Sequence, residues 1–215
     1  MKIGVFDSGV GGLSVANAIK NTLPEHEVIL REDKANLPYG TKTPEQLLTL
    51  VAPILEELVN EGCKIIIVAC NTVTTTIITQ LREVISVPLI GMEPMVKPAA
   101  ELTKTGVIAV FATPTTLASK RYEWLKNEYC KNVAVIEPDC STWSSMIENN
   151  QVDEKQIMTN TLAAITANAD VIVLGCTHYH WIENIIRQVA DDKATVLQPE
   201  QPVIKQLQAV LQQLG

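Results

Sequence analysis

The sequence predicts an α/β protein with mostly parallel sheets, divided into two similar lobes. Residues 65–68 and 171–174 are unbroken apolar runs, without the alternation of a half-exposed strand. Such runs are typical of parallel strands that are covered on both faces. Predicted helices alternate with short strands along the chain, as βαβ units require. A cysteine followed by polar residues comes after each run, and the two copies suggest two related lobes.

The first lobe begins with a strand and a glycine-rich turn at residues 7–12. Pro24 follows the first helical pattern and ends it. Thr43, Pro44 and Gln46 have the spacing of a capping box with proline at the first helical position. An irregular loop is expected at 33–40. The predicted elements are strands at 2–6, 28–30, 65–68 and 87–90, and helices at 13–23, 44–60 and 71–84.

The second lobe follows a segment with two prolines, residues 92–98, which is the predicted hinge. Residues 105–111 repeat the pattern of the first strand of the chain. Asp153 is placed to cap a helix that leads to the second cysteine strand. The remaining predicted elements are strands at 105–111, 133–136, 171–174 and 196–197, and helices at 117–128, 154–167 and 203–214.

Composition narrows the functional class. The chain has 215 residues, is 47% hydrophobic and carries a formal net charge of −7, which argues against nucleic acid or an anionic membrane as partner. No apolar stretch reaches the roughly 18–20 residues of a membrane span, and the N-terminus has no signal-peptide layout. Five cysteines and three histidines show neither disulfide nor zinc-ligand spacing. We therefore expect a cytoplasmic protein without a metal.

Two of the cysteines are the candidates for chemistry. Cys70 and Cys176 each follow a buried strand, and ligands bind at the carboxyl ends of strands in open α/β sheets. A helix N-terminus is predicted after each, and it favours the reactive thiolate. Two thiols that face one small molecule suggest acid–base chemistry on its opposite faces. The other cysteines are predicted to be core residues: Cys63, Cys130 and Cys140.

Two titratable residues lie close to these cysteines in sequence. His178 is placed to share a proton with the second thiol, whereas Asp7 has the commoner alternative of capping a helix. The turn 7–12 is either a plain strand–helix connection or a nest of N–H groups that binds a carboxylate. It matches neither nucleotide-binding fingerprint. His26 and His180 are predicted to be surface groups.

Several short segments form a combination that is specific, although none would suffice alone. They are residues 6–15, 38–42, 69–72, 91–94 and 174–179, and Ala112, Thr113, Thr116 and Ser119. In this order the chain resembles the cofactor-independent aspartate/glutamate racemase family. The resemblance implies lobes related by pseudo-twofold symmetry, with the active site between them. It also implies a return to the first lobe, which gives lobes of 1–93 plus 199–215 and of 94–198.

The resemblance implies a mechanism without a cofactor. One cysteine thiolate removes the α-proton of an amino acid, and the other thiol delivers a proton to the opposite face. Cys70 would act on the D-enantiomer and Cys176 on the L-enantiomer, with Asp7, His178 and Glu148 as helpers. The positions that match substrate contacts are Asp7, Ser8, Pro38, Tyr39, Gly40, Asn71, Thr72, Thr113, Thr116, Thr177 and His178.

The function that the resemblance implies is the interconversion of L- and D-glutamate, which supplies D-glutamate for peptidoglycan, with a homodimer as the expected assembly. Two other readings stay open. The stretch at 140–145 departs from the apolar, proline-containing family pattern, which leaves room for aspartate or another amino acid as substrate. A shortened second lobe leaves room for a family member that binds an acidic ligand without turnover. A third and weaker reading is disulfide exchange between Cys70 and Cys176.

Overall fold

The chain folds into two units, each built on its own parallel sheet. The structure, a computed structural model, describes residues 1–214. One unit comprises Met1–Glu93 with the C-terminal segment from Pro199, and the other comprises Pro94–Gln198. Every strand pairing in both sheets is parallel. The predicted fold class, α/β with mostly parallel sheets in two lobes, is therefore confirmed.

The first unit contains four strands and, before the chain leaves it, three helices. Two short 3₁₀ turns, Lys34–Asn36 and Tyr39–Thr41, lie within the irregular loop that follows its second strand. The elements are β1 (Lys2–Asp7), α1 (Gly11–Thr22), β2 (Glu27–Glu32), α2 (Pro44–Asn60), β3 (Cys63–Val68), α3 (Asn71–Val84) and β4 (Leu89–Gly91).

The second unit repeats this alternation, and the chain then returns to the first unit. A six-residue 3₁₀ turn, Thr177–Ile182, directly follows the second cysteine. The elements are α4 (Val96–Leu102), β5 (Val107–Ala112), α5 (Pro114–Leu117), α6 (Lys120–Tyr129), β6 (Ala134–Ile136), α7 (Trp143–Glu148), α8 (Glu154–Thr166), β7 (Val171–Gly175), α9 (Glu183–Ala190), β8 (Thr195–Leu197) and α10 (Glu200–Leu214).

Both sheets have the same strand order. It is β2-β1-β3-β4 in the first unit and β6-β5-β7-β8 in the second, so the first and third strands of each unit are neighbours. The strand β3 is buried on both faces: Ile66 and Val68 pack in one core cluster, and Ile65 and Ile67 in another. This arrangement explains why the run shows no apolar–polar alternation.

The helix start signals read from the sequence are confirmed. Thr43 Oγ1 accepts a hydrogen bond from the Gln46 backbone N–H at 3.3 Å, and Gln46 Oε1 accepts one from Thr43 N–H at 2.9 Å. These are the two reciprocal bonds of a capping box. At the start of α8, Asp153 Oδ1 accepts from Gln156 N–H at 3.0 Å.

Three short elements differ from the prediction. The helix α4 forms across part of the predicted hinge, because Pro98 falls in its first turn, where a missing N–H costs no helical bond. The helix expected at 117–128 begins only at Lys120 (α6), since Ser119 caps it by accepting from Tyr122 N–H at 3.2 Å, and the separate short helix α5 precedes it. The helix α7 lies where no helix was predicted.

The prediction that both histidines outside the site are surface groups is wrong. The His26 side chain is 14% exposed, and its Nδ1 lies 3.1 Å from the N-terminal amine. His180 lies in the 3₁₀ turn after the second cysteine, and desolvation by its neighbours lowers its pKa. Of the predicted core cysteines, Cys63 and Cys140 are buried and Cys130 is half-buried against a core cluster.

None of the helices described between residues 1 and 214 combines the length and the apolarity that a membrane crossing requires.

We expect Thr43→Ala to lower the free energy of unfolding by about 1 kcal/mol, because it removes the cap of α2. The matched control is Thr49→Ala, the same substitution at an exposed position of the same helix. The Thr49 hydroxyl only donates back to the Glu45 carbonyl, so its removal should change stability by less than about 0.5 kcal/mol. Urea unfolding of both variants measures the difference. Equal effects of the two substitutions would contradict the capping role.

Candidate active site

The candidate site residues lie where the strand order of each sheet reverses. In the first sheet the chain runs from β1 to the strand on one side and from β3 to the strand on the other side. The same holds for β5 and β7 in the second sheet. Ligands of open α/β sheets bind at the carboxyl ends of such strand pairs. In the first unit these ends carry Asp7, Ser8 and Cys70, and in the second unit they carry Thr113 and Cys176. The sequence-predicted thiols therefore occupy equivalent positions of two similar sheets.

Asp7 is fully buried, and its carboxylate organises the turn that follows β1. Its Oδ2 accepts hydrogen bonds from Gly12 N–H at 2.9 Å and from Gly9 N–H at 3.3 Å. Amide groups of the glycine-rich turn therefore bind the carboxylate of the chain itself. A Cβ atom on Gly12 would lie 2.5 Å from Asp7 Cβ, so this close approach requires glycine at position 12.

Cys70 lies at the N-terminus of a true α-helix, as predicted. It is the N-cap residue of α3, where the helix dipole favours negative charge. Its Sγ lies 3.5 Å from the Ser8 hydroxyl oxygen, and both side chains are buried. A thiolate at this position therefore has a hydroxyl donor within reach in addition to the helix end.

Asn71, the next residue, carries a buried acceptor that none of the described residues satisfies. Its Nδ2 donates to the Met92 carbonyl at 2.9 Å, which fixes the orientation of the amide. Its Oδ1 is buried and accepts no hydrogen bond within residues 1–214. Because native proteins seldom leave such a group unpaired, this oxygen is a candidate ligand contact. Its neighbour Thr72 is also buried.

Hydrogen bonds to the Asp33 carboxylate hold the loop at residues 33–41 in place. The Tyr39 hydroxyl donates to Asp33 Oδ2 at 2.6 Å, and Asn36 Nδ2 donates to both carboxylate oxygens. Burial raises the pKa of Tyr39 far above its usual value, and the Asp33 carboxylate is the next largest cause. The charges of Cys70 and Asp7 raise this pKa by smaller amounts. Tyr39 is buried, whereas its predicted companions Gly40 and Pro38 are half-buried and exposed.

In the second unit, Cys176 is the first member of a chain of titratable side chains. Its Sγ lies 3.7 Å from His178 Nδ1. On the other side of the ring, His178 Nε2 lies 2.7 Å from Glu148 Oε1. The order is thus thiol, imidazole, carboxylate. In such a triad the imidazole acts as the base for the thiol, and the carboxylate orients the imidazole. The structure thus brings together three of the five residues that were predicted to be catalytic.

The helix that begins immediately after Cys176 is a 3₁₀ helix, not an α-helix like the one that follows Cys70. The six residues that follow form the 3₁₀ turn Thr177–Ile182, and α9 begins only at Glu183. A short 3₁₀ turn aligns fewer peptide dipoles than an α-helix does. Hydrogen-bonding side chains also lie near this thiol. One of them is Ser144, whose hydroxyl oxygen lies 3.5 Å from Cys176 Sγ.

The remaining predicted contacts of the second unit are threonines. Thr113 caps α5 by accepting from Thr116 N–H at 3.3 Å, and the two hydroxyl oxygens are 3.0 Å apart. Both side chains are buried, as is Thr177 beside the second cysteine. Within residues 1–214, no group of three or more His, Cys, Asp or Glu side chains is arranged to hold a metal ion.

Sequence reasoning missed two residues that touch the predicted set, Asp33 and Ser144. Asp33 belongs to an irregular loop, where local patterns do not indicate which side chain turns inward. Ser144 belongs to the stretch at 140–145, whose hydroxyl-rich composition was the available signal. Its contact with Cys176 depends on how α7 packs against the turn at 177–182.

Comparison with known proteins identifies the family. A model of the Asp/Glu/Hydantoin racemase family matches residues 11–214. The chain belongs to this family. It is 37% identical to a glutamate racemase from Pseudomonas syringae pv. tomato, over 99% of this chain and 79% of that protein. The predicted family and the predicted class, an isomerase that racemises amino acids, are thereby confirmed.

Solved racemase structures share the fold. A glutamate racemase isoform from Bacillus anthracis superposes with a TM-score of 0.83 at 31% identity, over 99% of this chain and 82% of that one. A glutamate racemase from Francisella tularensis in complex with D-glutamate gives a TM-score of 0.81 at 29% identity, with 99% and 81% covered. This chain therefore spans about four-fifths of the relatives that it matches.

The buried Tyr39 makes the stability of the protein sensitive to alkaline pH. Because the folded-state pKa of Tyr39 is raised, its contribution is complete below the unfolded value of about 10 and is lost as the pH rises beyond it. We expect the free energy of unfolding to fall between pH 9 and 11, and to fall less steeply in Tyr39→Phe. Urea unfolding at a series of pH values measures both slopes. Identical slopes would contradict this placement of the tyrosine.

Proposed function

We propose that the protein interconverts L- and D-glutamate by proton transfer at Cα, with Cys70 and Cys176 as the two acid–base groups. The observation that carries this proposal is the equivalent placement of two thiols at the strand-order reversals of two similar sheets. Each thiol has a hydroxyl oxygen 3.5 Å from its sulfur. Glutamate is the proposed substrate because similar racemases are named for it, and one of them is a complex with D-glutamate.

The second thiol is activated through His178. The short contact between His178 Nε2 and Glu148 favours the tautomer with a proton on Nε2, so that Nδ1 carries a lone pair towards Cys176. The imidazole then accepts the thiol proton, and the Glu148 carboxylate stabilises the imidazolium that forms. In this reading Cys176 deprotonates L-glutamate and, in the reverse direction, returns a proton to the same face of Cα.

The first thiol is activated mainly by backbone groups. The N-terminus of α3 favours the thiolate of Cys70, and the Ser8 hydroxyl oxygen lies 3.5 Å from its sulfur. Two glycine N–H groups donate to the Asp7 carboxylate, which favours its charged form. We propose that Asp7 attracts the ammonium group of the amino acid while Cys70 acts on the D-enantiomer.

Neutral polar groups are proposed to hold the rest of the substrate. The buried Asn71 Oδ1, which has no donor among the described residues, would accept a hydrogen bond from the substrate ammonium group. Hydroxyls and helix N-termini would bind the two carboxylates. The residues proposed for substrate contact are Asp7, Ser8, Pro38, Tyr39, Gly40, Asn71, Thr72, Thr113, Thr116, Thr177 and His178.

The α-proton of an amino acid is a very weak acid, and the proposal includes no cofactor to delocalise the carbanion. Preorganised donors in a site from which water is excluded would then supply the stabilisation. The low exposure of Cys70, Asn71, Cys176 and His178 is consistent with this requirement. We further propose that the product serves peptidoglycan synthesis in the cytoplasm and that the protein acts as a homodimer, both as in the family it resembles.

Proton NMR in D₂O with L-glutamate, purified protein and a thiol reductant tests the reaction. We expect the Cα proton signal to disappear as D-glutamate grows. Early in the reaction the D-glutamate should carry deuterium while the remaining L-glutamate keeps its proton, because each face has its own acid. Both Cys70→Ser and Cys176→Ser should abolish racemisation while keeping the folded circular dichroism spectrum. Racemisation retained in either variant would contradict the assignment of both thiols as acid–base groups.

The same experiment separates the other readings. Exchange of the Cα proton of aspartate or of another amino acid, but not of glutamate, would contradict glutamate as the substrate and would still support the two-thiol mechanism. No exchange with any amino acid, together with a raised melting temperature in the presence of glutamate, would indicate a binding protein.

Glu148→Gln tests the role of the carboxylate behind His178. We expect a decrease in kcat of about 100-fold or more, since a neutral amide no longer stabilises the imidazolium. The matched control is Glu128→Gln, at an exposed position of α6 in the same unit, which should leave kcat unchanged. Steady-state circular dichroism assays of glutamate racemisation give both values. An equal kcat in the two variants would remove Glu148 from the mechanism.

A further inference from the structure

The hydroxyl of Ser144 lies within hydrogen-bonding reach of Cys176, and the proposed mechanism gives it no role. Ser144 lies on α7 and is half-buried, and its Oγ is 3.5 Å from Cys176 Sγ. His178 Nδ1 lies slightly farther from the same sulfur, at 3.7 Å. The hydroxyl and the imidazole are thus the two hydrogen-bonding side chains that the structure places on this thiol.

The two neighbours differ in when they are able to donate a hydrogen bond. While neutral His178 keeps its proton on Nε2, facing Glu148, its Nδ1 only accepts. It donates to the sulfur only after it has itself been protonated. A serine hydroxyl has a proton to donate in both cases. Because Cys176 precedes a 3₁₀ turn rather than an α-helix, the thiolate depends on such side-chain donors more than Cys70 does.

A second acceptor lies near the Ser144 hydroxyl. It is the hydroxyl oxygen of Tyr179, a fully buried side chain whose charged form Ser144 favours. The Tyr179 hydroxyl donates its own proton to the Cys140 carbonyl at 3.1 Å, so its oxygen is left as an acceptor. A charged acceptor attracts a donor more strongly than a neutral one. The proton should therefore turn to the sulfur when Cys176 is a thiolate and to Tyr179 when it is a thiol.

We propose that Ser144 is a positioning residue whose hydroxyl donates to the thiolate of Cys176 and stabilises it. It is the counterpart, in the second unit, of Ser8 at Cys70. The two serines reach their thiols from different elements, since Ser8 follows β1 directly and Ser144 lies on α7. The catalytic value of this contact rests on the proposed racemisation, but the contact itself does not.

Thiol titration without substrate tests the proposal. The rate of alkylation by iodoacetamide is followed from pH 5 to 10, and peptide mass spectrometry reports Cys70 and Cys176 separately in one sample. We expect Ser144→Ala to move the midpoint of Cys176 up by about one pH unit, the effect of losing one hydrogen bond to a charged acceptor. The midpoint of Cys70 should not move. Ser8→Ala should give the reverse pattern, with Cys70 shifted and Cys176 unchanged.

Two further variants distinguish the effect of losing the Ser144 hydroxyl from the effect of a change in the packing of α7. Ser144→Thr keeps a hydroxyl and should keep the Cys176 midpoint close to that of the parent protein. Ser145→Ala removes an exposed hydroxyl on the same helix, which accepts a hydrogen bond from Asn149 Nδ2 at 3.3 Å, and should shift neither thiol.

An unchanged Cys176 midpoint in Ser144→Ala would overturn the proposal. A shift of both cysteines together would do so as well, because it would indicate general loosening. The racemisation assay in D₂O is a separate measurement. A shifted midpoint in a protein without racemisation counts against the proposed function alone, and racemisation with an unshifted midpoint counts against Ser144 alone.

Discussion

The reversal of strand order within each parallel sheet is the constraint on which the rest of the structure depends. The connections that follow β1 and β3 run away from each other, and so do those that follow β5 and β7. The carboxyl ends of these neighbouring strands are therefore not covered by a connection. Polar residues placed directly after these strands therefore gather at one edge. Cys70 and Cys176 are both brought to such an edge by an apolar strand whose burial fixes its register.

The two thiols occupy equivalent positions but have different electrostatic surroundings. Cys70 begins a fourteen-residue α-helix, so its thiolate is favoured by backbone dipoles whose strength does not change with pH. Cys176 begins a 3₁₀ turn and lies beside His178, a side chain that is able to accept and release a proton. The carboxylate of Glu148 lies behind His178, and the hydroxyl of Ser144 lies 3.5 Å from the sulfur. Two similar sheets thus place their thiols in different electrostatic surroundings.

Buried polar groups around the first thiol are held by internal hydrogen bonds, and this determines which of them are available to a ligand. Asp7 binds two turn amides and Tyr39 binds Asp33, so both side chains are fixed before any substrate arrives. Asn71 is fixed on one side only, through Met92, and leaves one oxygen without a donor among the described residues. Burying such an oxygen costs free energy unless a donor reaches it, which is why we propose it as a contact to a bound molecule.

The sequence by itself determined the α/β class, the long helices with their caps, the position of both thiols, and the family. These depend on local signals: apolar runs, the capping box at Thr43 and the motifs around each cysteine. Tertiary structure alone decided α4, α7 and the 3₁₀ turn after Cys176, because elements of six or seven residues have too few internal hydrogen bonds to be stable without packing. It also decided the contacts of Asp33 and Ser144. Each joins residues far apart in the chain or in an irregular segment, and no local pattern carries that information.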